Sequence, residues 1–249
     1  MKRLILILVV SLTFSCDSEN AIDCLQTAGD IIQREYSLEY FEKITVFERS
    51  QLFISEGDFS VSLETGENLL NDIEITVTSN RLIIKNHNSC NINRDYGITK
   101  VFVTAPNITE IRNSSGLKVI GLNTLTYNNL TLISEDLEEE DSYHTDGDFQ
   151  LDLDVQQLTI TQNNLSNFFL SGHAEHLDLN FLFGDGRFEG RNLIVQNADV
   201  YHRGTNDIII NPQLELTGTI LSTGDMIVVN TPANIDVQLL YTGQLIFEN

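Results

Sequence analysis

The residues best suited to chemistry in this sequence are acids. Glu135-Asp136-Leu137-Glu138-Glu139-Glu140-Asp141 sets carboxylates at every position but one, and Asp146, Asp148, Asp152 and Asp154 follow closely. Oxygen-rich clusters attract Ca²⁺, which takes about six to eight oxygen ligands at about 2.3–2.6 Å. The run has neither EF-hand spacing nor a repeated nonapeptide with paired glycines, so a solvated, self-repelling loop is the alternative reading. His87, His144, His173, His176 and His202 are scattered. His173 and His176 would align on a helix, but on a strand that spacing points them to opposite faces, which argues against a zinc pair.

General acid–base catalysis needs two groups at a set separation with their pKa values pushed apart. The grouping that comes nearest is Asp185 with Arg187, Arg191 and Arg203, alongside Gly204-Thr205-Asn206-Asp207 and Ser171-Gly172-His173. Polygalacturonases on parallel β-helices carry ordered Asn-Thr-Asp, Gly-His-Gly and Arg-Ile-Lys motifs, and the first and last are missing here. A GxSxG elbow, a Gly-rich phosphate loop and a Cys/His dyad are missing too. With no Trp, sugar platforms must come from Tyr127, Tyr143, Phe168, Phe169, Phe181, Phe183, Tyr201 and Tyr241, or else these rings form core ladders. Adjacent strand residues face opposite ways, so Phe168-Phe169 and Phe181-Leu182-Phe183 are each expected to expose at least one ring. A net charge of −22, from 14 bases and 36 acids, excludes sequence-independent nucleic-acid binding, because phosphate demands the opposite sign.

The elements that would position these groups are strands. Short aliphatic and β-branched runs predict strands at 44–47, 52–55, 60–64, 73–78, 81–85 and 100–104, and no long window fits helical periodicity. In the second half Leu158-Thr159-Ile160, Leu177-Asp178-Leu179, Leu193-Ile194-Val195, Ile208-Ile209-Ile210, Met226-Ile227-Val228 and Leu245-Ile246-Phe247 open units of about 17 residues. Each unit holds a second short strand, at 167–170, 187–189, 198–201, 214–220 and 235–240. Units too small to bury a face alone are what a parallel β-solenoid stacks into rungs. Asn163, Asn164, Asn192, Asn197, Asn206, Asn211 and Asn230 mark the turns, where Asn tolerates positive φ and builds side-chain ladders. A large antiparallel sandwich is the alternative. The last rung, near the end of the chain, needs its edge covered by its own acids or by a partner.

The start of the chain carries an address. Met1-Lys2-Arg3 and the apolar run from Leu4 through Phe14 form the basic and hydrophobic regions of a secretory signal. As a helix this run reaches about 18 Å, well short of a bilayer core of about 30 Å. Thr13-Phe14-Ser15-Cys16 resembles the lipobox of bacterial lipoproteins, with Phe14 departing from the usual small residue, and implies cleavage before Cys16 and acylation of it. Ordinary cleavage giving an unanchored product is the alternative. Removing residues 1–15 leaves 12 bases against 36 acids, a net of −24. Asp17, Glu19 and Asp23 resemble the acidic export signals of surface lipoproteins in Bacteroidota, whereas elsewhere Asp17 would imply inner-membrane retention. Cys24 and Cys90 remain as an even pair in an exported chain, which suggests a disulfide worth about 4 kcal/mol. Metal binding by that pair is the weaker reading, because no CxxC or HxxxH lies nearby.

Residues 29–125 carry a family resemblance. Gly66-Glu67-Asn68-Leu69-Leu70, Ile73-Glu74 and Val101-Phe102-Val103-Thr104-Ala105-Pro106-Asn107-Ile108, leading to Asn113-Ser114-Ser115-Gly116, resemble the putative auto-transporter adhesin family, also called head GIN domain proteins. Where the family shows an S-G-S-G turn, Asn113-Ser114-Ser115-Gly116 lacks the first Gly, and Asn is the next best residue for positive φ. The resemblance implies an all-β, right-handed parallel β-helix-like solenoid with a strand-rich N-terminal part, and it brings no catalytic residues. The expected organisation is a signal peptide at 1–15, a lipidated tether at 16–26 and one adhesin-like domain at 27–249. The expected function is a non-enzymatic, cofactor-free envelope lipoprotein of the outer membrane, held by its lipid and meeting a glycan or protein at the cell surface. The alternatives are a β-helix polysaccharide lyase or hydrolase and a purely structural envelope component.

Overall fold

The computed structural model describes residues 26–90, 94–137 and 142–248. Among the described residues seventeen strands join in one mixed sheet that curls into a half-barrel. The antiparallel pairings cluster early: β1 (Ile31–Tyr36) with β4 (Ser60–Gly66), β4 with β7 (Thr99–Ala105), and β5 (Ile73–Thr78) with β6 (Arg81–Asn86). β5 and β6 are joined by Ser79-Asn80, both at positive φ (51° and 64°), as a two-residue type I′ hairpin requires. Elsewhere neighbours run parallel. β2 (Lys43–Phe47) lies between β6 and β8 (Glu110–Ser114), and β3 (Ser50–Glu56) between β7 and β9 (Val119–Gly121). All six strands expected in the first half are present, each within two residues of its expected bounds.

From residue 149 the two lines of strands fuse. β11 (Phe149–Gln162) pairs through its start with β9 and through its end with β10 (Asn129–Ser134). β12 (Phe168–Phe181), β13 (Phe188–His202) and β14 (Ile208–Ile220) stack on it in parallel. β14 then splits its pairing between β15 (Met226–Val228) and β16 (Asn234–Leu239), and β17 (Leu245–Phe247) follows β15. The burial pattern explains the length of these strands. In β11 the buried positions are odd from Phe149 to Val155 and even from Leu158 to Gln162. A change of phase keeps both arms facing one core, so a single strand turns a corner between them.

This geometry corrects the expected unit. Phe149, Phe168, Phe188, Ile208, Met226 and Leu245 form one column at intervals of 18 to 20 residues. Leu158 and Leu177 belong to the second arm, whereas Leu193 and the later openers belong to the first, which is why the sequence intervals fell short. The sheet is also mixed, so the expected parallel β-helix holds here as an all-β fold with parallel stacking after residue 149. Burial drives that stacking: the rings of Phe149 and Phe168 lie 4.9 Å apart and 8° from parallel, both fully buried, and each buried ring contributes about 1.5–3 kcal/mol.

The turns between rungs are held by side chains handing hydrogen bonds upward. Asp148 Oδ1 accepts from the backbone N–H of Asn167 at 2.9 Å, and Asn167 Oδ1 accepts from that of Arg187 at 3.1 Å. Arg187 Nη1 donates to Asp207 at 3.1 Å, and Asp225 Oδ1 accepts from the backbone N–H of Gln244 at 2.8 Å. Asn197, Asn206, Asn211 and Asn230 likewise donate to carbonyls of the preceding rung. None of the expected turn asparagines has positive φ, and those four act through ladder bonds instead. Asn113 corrects the same expectation. It is fully buried, donates to the carbonyls of Leu117 and Asp148, and leaves the positive φ of its turn to Gly116.

One interior position breaks the apolar pattern. His202, paired with Phe181 and Ile220 on adjacent strands, is fully buried, and neither ring nitrogen has a hydrogen-bond partner. Burial pushes its pKa below the ordinary value of 6.5, outweighing the pull of Asp207, of the carbonyls of Asn206 and Gly224, and of Asp225. The unfolded chain therefore binds this proton more readily than the folded one. Its contribution to stability is complete above about pH 6.5 and is lost as pH falls from there through the lower folded pKa. Denaturant midpoints at pH 7.5 and 5.0 are expected to differ less in His202→Leu than in the parent chain. An equal difference in both would refute the assignment.

Candidate functional site

Outward-facing residues of the first arm line a groove of about 550 Å³, within the range of about 300–1,000 Å³ usual for small-ligand sites. Gln150 and Asp152 come from β11, Phe169 and Ser171 from β12, and Glu189, Arg191 and Asn192 from β13. A bulge shapes one wall. Phe169 pairs with Glu189 but Ser171 with Asn192, and on the other side Glu189 pairs with Ile209 but Ile194 with Asn211. The extra residues of β13 are pushed outward. Gly190 permits the bend, because a Cβ there would lie 2.3 Å from the ring of Phe188.

Within the groove Phe169 is 39% exposed while its neighbour Phe168 is fully buried. The ammonium of Lys118, carried on the turn before β9, sits 4.7 Å from the centre of the Phe169 ring and 3.4 Å from Gln150 Oε1. Such a contact at an exposed site is worth about 0.5–1 kcal/mol, so a ligand displaces it cheaply. The acids of the groove are already engaged. Glu189 pairs with Arg187 at 2.5 Å, and Asp152 accepts from Ser171 at 2.8 Å and from Thr124 at 2.5 Å. Arg191 forms a two-toothed pair with Glu248, whose hydrogen bond and charge hold that carboxyl below its usual pKa. Among the described residues Lys118 makes no ion pair with a carboxylate. Among the described residues the groove thus offers an exposed ring, one cation (Lys118) and one carboxylate (Asp152) with no ionic partner, and several amides and hydroxyls.

The other expected sites fare differently. Cys16 and Cys24 lie outside the described residues, as do residues 138–141 of the acidic run. Glu135 pairs with Arg112 at 2.6 Å, and Asp136 accepts from Asn163. Asp148 serves the turn ladder, and Asp154 faces His173 at 3.6 Å. His87 and His144 lie beside Glu74 and Glu48 at the surface. No three His, Cys, Asp or Glu side chains converge on a metal position among the described residues. The Asp185 grouping is dispersed: Asp185 accepts from Thr205 at 2.6 Å, Arg187 links Glu189 to Asp207, and Arg191 turns to Glu248. Of the aromatic candidates, Tyr127, Phe168 and Phe181 are core residues, whereas Phe169, Phe183 and Tyr241 are exposed. A second groove, on the outer face of the second arm, is lined by Asp178, Asp199 and Asp236 among neutral residues that include Tyr201, and no base lines it.

Sequence reasoning found Phe169, and Arg191 as part of another grouping, but missed Lys118 and Gln150. Gly190, inside what becomes a strand, was the available signal for a bulge.

The described residues form an all-β stack with a ligand-sized groove on its outer surface. The chain belongs to the family described as "Putative auto-transporter adhesin, head GIN domain", whose profile matches residues 40–232. The match extends well beyond the segment that carried the resemblance. A putative adhesin from Bacteroides fragilis is similar in fold, with 18% identity and a TM-score of 0.75, covering 89% of this chain and 99% of that one. A putative lipid binding protein from Parabacteroides distasonis has 14% identity and a TM-score of 0.62 over 89% and 98% of the two chains. A putative adhesin from Parabacteroides merdae has 15% identity and a TM-score of 0.59 over 89% and 97%. No curated protein matches.

Proposed function

We propose that this chain is a non-enzymatic adhesin-type module, exported and held on the outer membrane by a lipid on Cys16, which binds a glycan through the groove of the first arm. The observation that carries the reading is the exposed Phe169 with Lys118 against its ring, in a groove of ligand size whose carboxylates are hydrogen-bonded to neighbours. General acid–base work needs a free pair of titrating groups, and committed carboxylates suit binding better. The finer fold belongs to the same proposal: rungs of 18 to 20 residues stack as a right-handed β-helix-like solenoid over residues 27–249. A screen of the protein against polysaccharides tests the function. Saturable binding without turnover is expected; released products would favour a lyase or hydrolase, and no binding at all a structural envelope role.

The anchor and the bridge are proposals of the same kind. Acyl chains on Cys16 each add about 0.8 kcal/mol per buried methylene, so several hold a folded domain on a membrane. Cys16→Ser is expected to move the protein out of the membrane fraction, and unchanged fractionation would count against lipidation. For the Cys24–Cys90 disulfide, the support is proximity. Gln26 donates to the carbonyl of Asn68 at 2.8 Å and accepts from Arg94 at 3.1 Å, while Asn88 donates to the carbonyl of Leu69 at 3.1 Å. The chain just after Cys24 and the chain on either side of Cys90 thus gather around one short turn, Glu67–Asp72.

A further inference from the structure

Apart from the groove, we infer that the far end of the stack is a self-association surface, where a second copy of this chain lays its β16 antiparallel to β16 about a two-fold axis through Val237. Strand order within the two arms places that end. The first arm runs β1, β4, β7, β3, β9 and then β11 to β15 and β17. The second runs β5, β6, β2, β8, β10 and then β11 to β14 and β16. β16 and β17 therefore close the two arms, and among the described residues each is paired on one side. What a further strand would cover is visible one rung back. Ile235 and Leu239 are 41% and 51% exposed, whereas Leu216 and Ile220, their partners on β14, are fully buried. Leu240, Tyr241, Ile246 and Phe247 are exposed at the same end.

The occupant follows from the backbone and the charge. The N–H of Leu240 bonds back to the carbonyl of Ile220, so alternation along the strand turns the backbone groups of Ile235, Val237 and Leu239 to the open side. An added strand answers those groups with hydrogen bonds, which an acyl chain does not. A copy of β16 answers them in register. Centred on Val237, the pairing sets Ile235 opposite Leu239 of the second copy on the inner face and Asp236 opposite its Gln238 on the outer face, so apolar meets apolar and no carboxylate meets another. Centring on Asp236 would oppose the two carboxylates, and an odd shift of register would set inward side chains against outward ones. The axis stands perpendicular to the sheet, which keeps both inner faces on one side. Charge favours the same face: a net charge of −22 repels a second copy, yet from Asn234 to Phe247 the only charged residue is Asp236. Charges and proline blunt strand edges. At the opposite end β1 carries Arg34 and Glu35 and β5 carries Glu74, whereas β16 has no Lys, Arg or Pro. A two-fold contact of this kind closes on itself as a pair.

The test uses the full chain purified in detergent. Sedimentation is expected to give a dimer that dissociates on dilution. Val237→Pro removes an N–H that faces the open side and none that bonds β14, so it is expected to weaken dimerisation at least tenfold while the circular dichroism spectrum stays unchanged. Gln238→Glu, which symmetry opposes to Asp236 twice over, is expected to weaken it at least twofold, and Gln238→Lys to tighten it at least twofold. Register is read by cysteine trapping. An oxidised mixture of Asp236→Cys and Gln238→Cys chains is expected to give a disulfide-linked dimer, and neither variant alone. The inference is overturned by a monomer at every concentration, by a dimer indifferent to both Val237→Pro and Gln238→Glu, or by linkage within a single variant equal to that of the mixture. A ladder of larger species also overturns it, in favour of head-to-tail stacking. Phe169 and Lys118 lie away from β16, so glycan binding by the groove stands or falls on its own screen.

Discussion

Replacing Phe168 with alanine is expected to cost about 3–5 kcal/mol of stability, lowering the thermal midpoint by about 6–20 °C for a domain of this size. Phe168 is fully buried at the centre of an aromatic column, stacked on Phe149 at 4.9 Å and tilted against Phe181 at 5.8 Å. Its removal leaves a cavity that rungs on either side cannot close, because each is pinned by parallel ladders to the next. Phe169→Ala is the control one residue away. That ring is 39% exposed on the outer face, and its loss is expected to change stability by less than about 1 kcal/mol. Thermal unfolding of both variants checks the pair. Similar losses would mean that the two faces of β12 are assigned wrongly.

Gly172→Ala is expected to be comparably damaging although it adds only one methyl group. Gly172 has φ +101° and lies in register between Leu153 and Leu193, at the centre of the stack. A Cβ placed there would fall 2.0 Å from the carbonyl oxygen of Leu153. Two costs combine: about 1–3 kcal/mol for a side chain forced into a region open to glycine, and about 1–3 kcal/mol for overpacking against a neighbouring backbone. Chemical denaturation should show a loss of about 2–6 kcal/mol on those terms. Gly97→Ala is a useful comparison, since φ is also positive there (+77°) but nothing lies within 4 Å of the added carbon. A loss confined to the strain at both positions would show that β11 and β12 separate easily, contrary to the tight stacking described above.

The strand content of this protein was legible in its sequence because burial of alternating aliphatic residues leaves a period of two that needs no knowledge of partners. Ile73–Thr78 was readable to the residue, and the pleat predicted that one of Phe168 and Phe169 is exposed, though only the structure shows that it is Phe169. The size of the repeat was less legible. Leu158 and Leu193 look alike as text, yet one faces the core from the second arm and the other from the first, and only pairing partners separate them. Asparagine at the turns was legible as a ladder former, but its backbone conformation depends on how closely the next rung approaches.

By itself, then, the sequence determined the strand class and a family resemblance, since each rests on local pattern or short motif. The tertiary structure alone decided the groove. Lys118, Gln150, Phe169 and Arg191 come from four separate segments, and they meet because parallel stacking sets residues 18 to 20 apart side by side while a bulge in β13 holds the wall open. No single stretch of chain encodes that meeting, because it depends on register between strands, which is a property of their pairing.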